Sequence, residues 1–253
     1  GPPDLGSLRG AAPYGTQYRR LREALDLLAE WNGEMSEHLP QPLIYKAWMR
    51  ALNRRLIEAD LGANLMGSFA RPDPLFLERV FRNVDGASAW CDVRQSTPIE
   101  TCADVASAAL DDALIWLEET YGRQLSALRW GDAHQATHDH PVLGGTPGLG
   151  WLGNIRQSTS GSDHTLQRGA TLGHGPNPFL NTHGAAYRGI YDLAAPATTV
   201  FVISTGQSGH PLSRFYDNLS ELWRRGDYVA MSLDPSLARA ASVGTTLLVP
   251  EIR

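Results

Sequence analysis

The sequence predicts an α+β protein, with helices gathered in its first half and short strands in its second. Three observations carry this reading. Apolar residues recur at helical spacing up to about residue 121, glycines and prolines replace the long periodic segments near Trp130, and the later apolar runs are short and rich in β-branched and aromatic residues. The division falls between residues 1–129, a mostly helical lobe, and residues 130–253, a strand-rich segment.

Each helix carries its own start and stop. Leu21, Leu25 and Leu28 recur among charged residues until Asn32-Gly33, and a second helix opens at Pro42, carries Ile44, Trp48, Leu52 and Leu56 at every fourth position, and ends at Gly62. The two are expected to form an antiparallel pair. Asp73-Pro74 begins a shorter helix through Phe81 that ends near Asp85-Gly86. Thr101, followed three residues later by Asp104, forms a capping box at the head of a long helix, with Val105, Ala109, Ala113 and Leu117 on one face and Tyr121-Gly122 at its end.

In the second half the expected strands cover residues 185–193, 198–204 and 245–249, with late helices around 219–225 and 235–241. The middle strand is apolar throughout, which predicts a central strand covered on both faces by helices.

Composition excludes several classes of function. A net charge of −5 and a pI near 5.9 lack the concentrated basic footprint that nucleic acid requires. No apolar run approaches the roughly 20 residues that span a bilayer, so no membrane partner is expected. The first residues, Gly1-Pro-Pro-Asp-Leu-Gly6, have neither a basic nor an apolar signal region, so any export signal is expected to have been removed or to lie upstream. The two cysteines, Cys91 and Cys102, flank a short polar loop and read as a local disulfide clamp worth about 3 kcal/mol, which favours an oxidising compartment. The alternative is a pair of reduced, unrelated thiols.

Two constellations invite a chemical reading. In Val200–Asp217 an apolar strand runs into Gly206-Gln-Ser-Gly209, placing Ser208 and His210 at a strand end with Asp217 as a third triad member, or with His174 or His183 in place of His210. The spacing differs from the nucleophile elbow Gly-x-Ser-x-Gly, because the second glycine comes one residue early. A turn in which Gln207 and Ser208 satisfy backbone groups is the plainer reading. In Trp130–Pro141, His134, His138 and His140 with Asp132 and Asp139 suggest a metal site. On an extended strand, however, His134 and His138 lie about 13 Å apart, and on a helix His140 points away. Ser158-Thr-Ser-Gly-Ser-Asp-His164 reads as a polar loop. The tryptophans, among them Trp31, Trp48, Trp116, Trp130 and Trp223, fall mostly at core positions.

A series of short motifs then points to a family. In order they are Leu27-Leu-Ala-Glu-Trp31-Asn-Gly33, Ala47-Trp-Met-Arg-Ala-Leu52, Trp90-Cys-Asp92 with Glu100-Thr-Cys102, and Trp130-Gly-Asp-Ala-His134 with His140-Pro141. His183-Gly-Ala-Ala-Tyr-Arg188 with Asp192-Leu193 follows, then Gly206-Gln-Ser-Gly-His-Pro211 with Tyr216-Asp217, Leu222-Trp223 and Gly226-Asp-Tyr228. The series resembles the C-terminal part of the β-chain of penicillin acylases, N-terminal-nucleophile (Ntn) hydrolases whose branch includes acyl-homoserine-lactone and cephalosporin acylases.

The resemblance implies an αββα sandwich to which residues 130–253 contribute, and an amidohydrolase acting on N-acyl substrates such as β-lactam antibiotics or acyl-homoserine lactones. The nucleophile would be a serine at the N-terminus of the β-chain, with its own α-amino group as base and an asparagine in the oxyanion hole. By motif order these residues lie upstream of this chain, so no catalytic residue is placed here and the chain alone is expected to be inactive. The implied partners are the α-chain, the N-terminal part of the β-chain and a small N-acyl amide, with self-association expected of the isolated piece. Roles in antibiotic response or biosynthesis and a periplasmic or secreted location also follow from the resemblance. No cofactor is expected, although the complete enzyme has room for a structural calcium. Two other readings stand beside this one. One is a self-contained serine or metal hydrolase using Ser208 or His134/His138/His140, and the other is a non-catalytic binding module.

Overall fold

A computed structural model describes residues 16–93 and 97–250. It divides the chain into two compact units, the first comprising the chain up to His140 with Asn154–Gly184 and the second comprising Pro141–Gly153 with the chain from Ala185.

The first unit opens with helices α1 (Thr16–Ala29) and α2 (Gln41–Leu61), then α3 (Pro74–Phe81) and α4 (Cys102–Tyr121). Their ends follow the sequence signals. Asp73 accepts the amides of Leu75 and Phe76 at the head of α3, and Thr101 and Asp104 form the capping box of α4. Gly62, at φ +71°, closes α2 in a conformation that disfavours side chains. The main partner of α2 is α4, and α1 packs less extensively against both. Leu43, Ile44, Trp48, Leu52 and Leu56 meet Val105, Ala109, Leu110, Ala113 and Leu117 in one core. The Trp48 indole donates to the Ala106 carbonyl at 2.8 Å, and Arg55 forks onto Asp112 at 2.6 and 2.9 Å. Cys91 and Cys102 are joined by a disulfide at the first residue of α4.

A helical turn at Trp130–Ala133 leads into a four-stranded sheet of order β2-β1-β4-β3, built from β1 (Gln135–His138), β2 (Ile155–Ser158), β3 (Gly169–Thr171) and β4 (Asn181–Gly184). β1 runs antiparallel to β2 and parallel to β4. Backbone bonds from Trp130 to Leu39, Gly131 to Glu37 and Gly161 to Met35 lace three distant segments together at 2.7–3.0 Å. Two glycines are required here. A Cβ on Gly131 would meet the Ser158 and Glu37 side chains at 2.8 and 3.0 Å, and one on Gly161 (φ +90°) would lie 1.9 Å from the Gln167 carbonyl.

The second unit holds a three-stranded antiparallel sheet of order β5-β6-β7, from β5 (Tyr187–Ile190), β6 (Val200–Ile203) and β7 (Val229–Ala230), with helices α5 (Ser220–Arg225) and α6 (Pro235–Ala241). β6 is central, as its apolar run predicts, but it is not covered on both faces. Helix α5 covers the Val202 side through Trp223, while Phe201 and Ile203 on the other side are only half-buried. The strand expected over residues 245–249 is absent. That segment pairs with nothing among the described residues, and Leu248 is 89% exposed, because β-branched composition makes a strand only beside an edge that can receive it.

Candidate functional site

The turn after β6 uses its polar atoms internally. The Ser208 hydroxyl accepts the His210 amide at 3.1 Å, and the His210 Nδ1 accepts the Leu212 amide at 3.1 Å. The Ser208 amide donates to the Phe215 carbonyl at 3.0 Å, and a Cβ on Gly206 would sit 2.1 Å from that same oxygen. The Ser208 hydroxyl therefore contacts the backbone of His210 rather than its imidazole, and Asp217 receives Ser220 through its main-chain carbonyl. His174 and His183 are exposed residues of the first unit. The triad considered from the sequence is not formed: Ser208 Oγ and His210 Nδ1 face backbone amides of their own turn rather than each other.

The three histidines after Trp130 do not gather either. Among the described residues no group of three or more His, Cys, Asp or Glu side chains is placed to hold a metal ion, so His134, His138 and His140 do not form the metal site considered from the sequence. His138 ends β1, and His140 lies beyond it, its amide bonded to Asn154 Oδ1 at 3.0 Å.

His134 instead forms the centre of a buried polar group. Its ring is fully buried and stacks on Trp130, with centroids 4.5 Å apart and planes 13° apart. Nδ1 lies 2.8 Å from the Phe179 carbonyl, which can only accept, so Nδ1 carries the proton and Nε2 the lone pair. Nε2 has no partner among the described residues. Burial drives the imidazole down from 6.5 to about 4, against an opposing pull from the Phe179 carbonyl. Thr159 donates to the His134 carbonyl at 2.9 Å and accepts from Asn181 Nδ2 at 3.1 Å, while a Cβ on Gly169 would approach Nε2 to 2.5 Å.

Nearby in the same unit, Lys46 pairs with Asp163 at 2.7 Å, with both side chains almost buried. Burial alone would raise the Asp163 carboxyl, but Lys46 and the Thr171 amide and hydroxyl outweigh it and hold the group below the usual range. This neutral imidazole and satisfied carboxylate form a buried, largely structural assembly. Composition did not reveal it, although Trp130 and His134, four residues apart across one helical turn, gave a signal for the ring stack.

The family is decided by comparison with known proteins. A family model described as penicillin amidase matches residues 3–240. The chain belongs to the penicillin amidase family. It is 27% identical over 244 residues to the acyl-homoserine lactone acylase QuiP of Pseudomonas aeruginosa, with 87% of this chain and 28% of that protein covered. It is 26% identical over 230 residues to the penicillin acylase 2 proenzyme of Pseudomonas sp. strain SE83, covering 90% of this chain and 29% of the relative. The chain thus spans a little over a quarter of the length of these relatives. Among solved structures it resembles a thermostable penicillin G acylase from Alcaligenes faecalis at a TM-score of 0.54 and 14% identity, covering 99% of this chain and 46% of that one. The α+β class expected from the sequence holds, and the fold resembles that of this penicillin G acylase.

Proposed function

We propose that this penicillin amidase family chain is the C-terminal segment of the β-chain of an amidohydrolase that hydrolyses the amide of N-acyl substrates, β-lactams or acyl-homoserine lactones among them. The nucleophilic serine and oxyanion asparagine are supplied by polypeptide outside these 253 residues. The observation that carries this reading is the family match over residues 3–240 in a chain that spans 28% of its acylase relative. The closed turn around Ser208 and the walled-in His134 support it, because neither offers a nucleophile beside a base. In this reading residues 130–253 contribute to the αββα core, and the α-chain and the N-terminal part of the β-chain are the obligate partners. The disulfide supports a periplasmic or secreted location, since such bonds persist in oxidising compartments.

The test is hydrolysis of an N-phenylacetyl amide and of an N-acyl-homoserine lactone by the full-length precursor and by this chain alone. The full-length enzyme should cleave at least one of them. Replacing the serine at the N-terminus of the β-chain should cost on the order of 10⁴-fold or more, whereas Ser208→Ala should leave the rate within about twofold. Hydrolysis by the isolated chain that Ser208→Ala abolishes would overturn the reading.

A further inference from the structure

The connection between α1 and α2 holds the sequence's single Asn-Gly pair, Asn32-Gly33. Asn32, Gly33 and Glu34 are all exposed. An asparagine carboxamide is a weak electrophile with ammonia as its leaving group, and the nearest nucleophile is the main-chain nitrogen of the next residue. A side chain on that next residue shields the nitrogen, and glycine has none.

The turn adds three features of its own. The Gly33 amide makes no hydrogen bond among the described residues, so its nitrogen is not engaged in a ladder or a cap. Gly33 adopts φ +89°, and the place where a Cβ would stand has no atom within 4 Å, which leaves room for a ring to close and for water to reach it. Asn32 Oδ1 accepts the Glu34 amide at 2.9 Å, an Asx turn that folds the carboxamide back toward the Gly33 peptide. This last bond matters most. When nitrogen adds to Cγ, negative charge gathers on Oδ1, and the Glu34 N–H already donates to that oxygen as the donors of an oxyanion hole do. The turn is held in turn by the Trp31 indole, which donates to the Glu34 carbonyl at 2.8 Å and packs against Tyr45 at 5.4 Å. Nucleophile and electrophile are thus kept together by the fold.

Every other asparagine is followed by a residue with a side chain. Asn53 and Asn181 are also buried, and Asn177 precedes a proline, which has no N–H. The single Asp-Gly pair, Asp85-Gly86, has its carboxylate bound by Arg79 at 2.9 Å, and a carboxylate oxygen leaves far less readily than ammonia.

We propose that Asn32 is a self-modification site, where the Gly33 nitrogen gives up its proton and bonds Asn32 Cγ, the Cγ–Nδ2 bond breaks, and the departing nitrogen takes up a proton and leaves as ammonia. The product is a five-membered succinimide. Water then opens it. Addition at Cγ gives aspartate, and addition at the Asn32 main-chain carbonyl gives isoaspartate, in which the backbone runs through Cβ and Cγ. Either product places a new carboxylate beside Glu34. Isoaspartate also lengthens the main chain just ahead of Met35 and Glu37, whose carbonyls receive the Gly161 and Gly131 amides at 2.7 and 2.9 Å. The change therefore falls on the strap that ties the helices to the four-stranded sheet.

The experiment is incubation of the folded full-length enzyme at pH 7 and 8, followed by peptide mass spectrometry and labelling of isoaspartate by a protein isoaspartyl methyltransferase. Asn32 should convert at least about tenfold faster than any other asparagine of the chain, and about tenfold faster per pH unit because the attacking nitrogen must shed its proton. Both products should form. Gly33→Ala, which keeps the asparagine, should slow conversion by at least about tenfold. Asn32 that stays intact in the folded enzyme while a short peptide of the same sequence converts would overturn the proposal, since the fold would then shield the pair. Aspartate without isoaspartate would overturn it too, because water would then have attacked Cγ directly. The readout needs no hydrolytic activity, so it stands or falls apart from the amidase reading.

Discussion

Lowering the pH from 7 to 5 should cost the folded chain about 2 kcal/mol through His134 alone. The imidazole is held at about 4 in the folded state against 6.5 when free, because burial disfavours its charge. The unfolded chain therefore takes up the proton first. Stability is fully present above pH 6.5, falls as the pH drops below 6.5, and levels off near pH 4. At 1.36 kcal/mol per pH unit the whole window is worth about 3 kcal/mol, and a little over half of it falls between pH 7 and 5. The carboxylates held below their usual range, such as Asp163 and Glu221, lose their contribution at lower pH, so they overlap little with this interval. His138 is also lowered by burial and adds a smaller slope of the same sign. The decisive quantity is thus the difference between wild type and His134→Asn, whose amide nitrogen takes the place of Nδ1 as donor to the Phe179 carbonyl but does not titrate. Urea unfolding at pH 7, 6 and 5 should show the variant losing about 2 kcal/mol less than wild type across the interval. Parallel curves would refute the reasoning, as would an imidazole titrating near 6.5 by NMR.

Lys46→Met should destabilise the chain by about 3 kcal/mol, the lower end of the cost of orphaning a buried charge, because Thr171 still binds Asp163; urea unfolding measures it. Gly161→Ala should cost at least about 2 kcal/mol, since it adds a backbone clash to an unfavourable φ, whereas Gly122→Ala, at φ +101° in open space, should cost about 1 kcal/mol. Equal thermal shifts for the two would contradict this assignment of strain. Reducing the Cys91–Cys102 bond should remove about 3 kcal/mol by loop-closure entropy, and a denaturation midpoint indifferent to reductant would refute it.

Helices were legible where caps and periodicity agreed. Asp73, Thr101 with Asp104, and the glycines at 62 and 122 are local signals, and tertiary packing did not override them. The four-stranded sheet was not legible. Its strands are three or four residues of largely polar sequence, such as Gln-Ala-Thr-His and Asn-Thr-His-Gly, and they exist through pairing with distant segments rather than through propensity. The opposite error occurred at residues 245–249, where propensity was present and no partner edge was. At the candidate site, Ser208 and His210 were correctly adjacent, but proximity said nothing about orientation. The Lys46–Asp163 pair lies 117 residues apart and leaves no mark in sequence.

The bond from the Trp130 indole to the Gly161 carbonyl, at 2.8 Å, bears on how the chain is made. A polypeptide leaving the ribosome cannot bond the Trp130 indole to the Gly161 carbonyl until residue 161 has emerged, 31 residues later. At about 5–20 residues per second that is a delay of about 2 to 6 seconds. During it the helical half is already synthesised, but the aromatic pair that closes its core stands in water. The nascent chain thus has a defined interval in which its largest buried side chain is open to binding by a chaperone or by another chain.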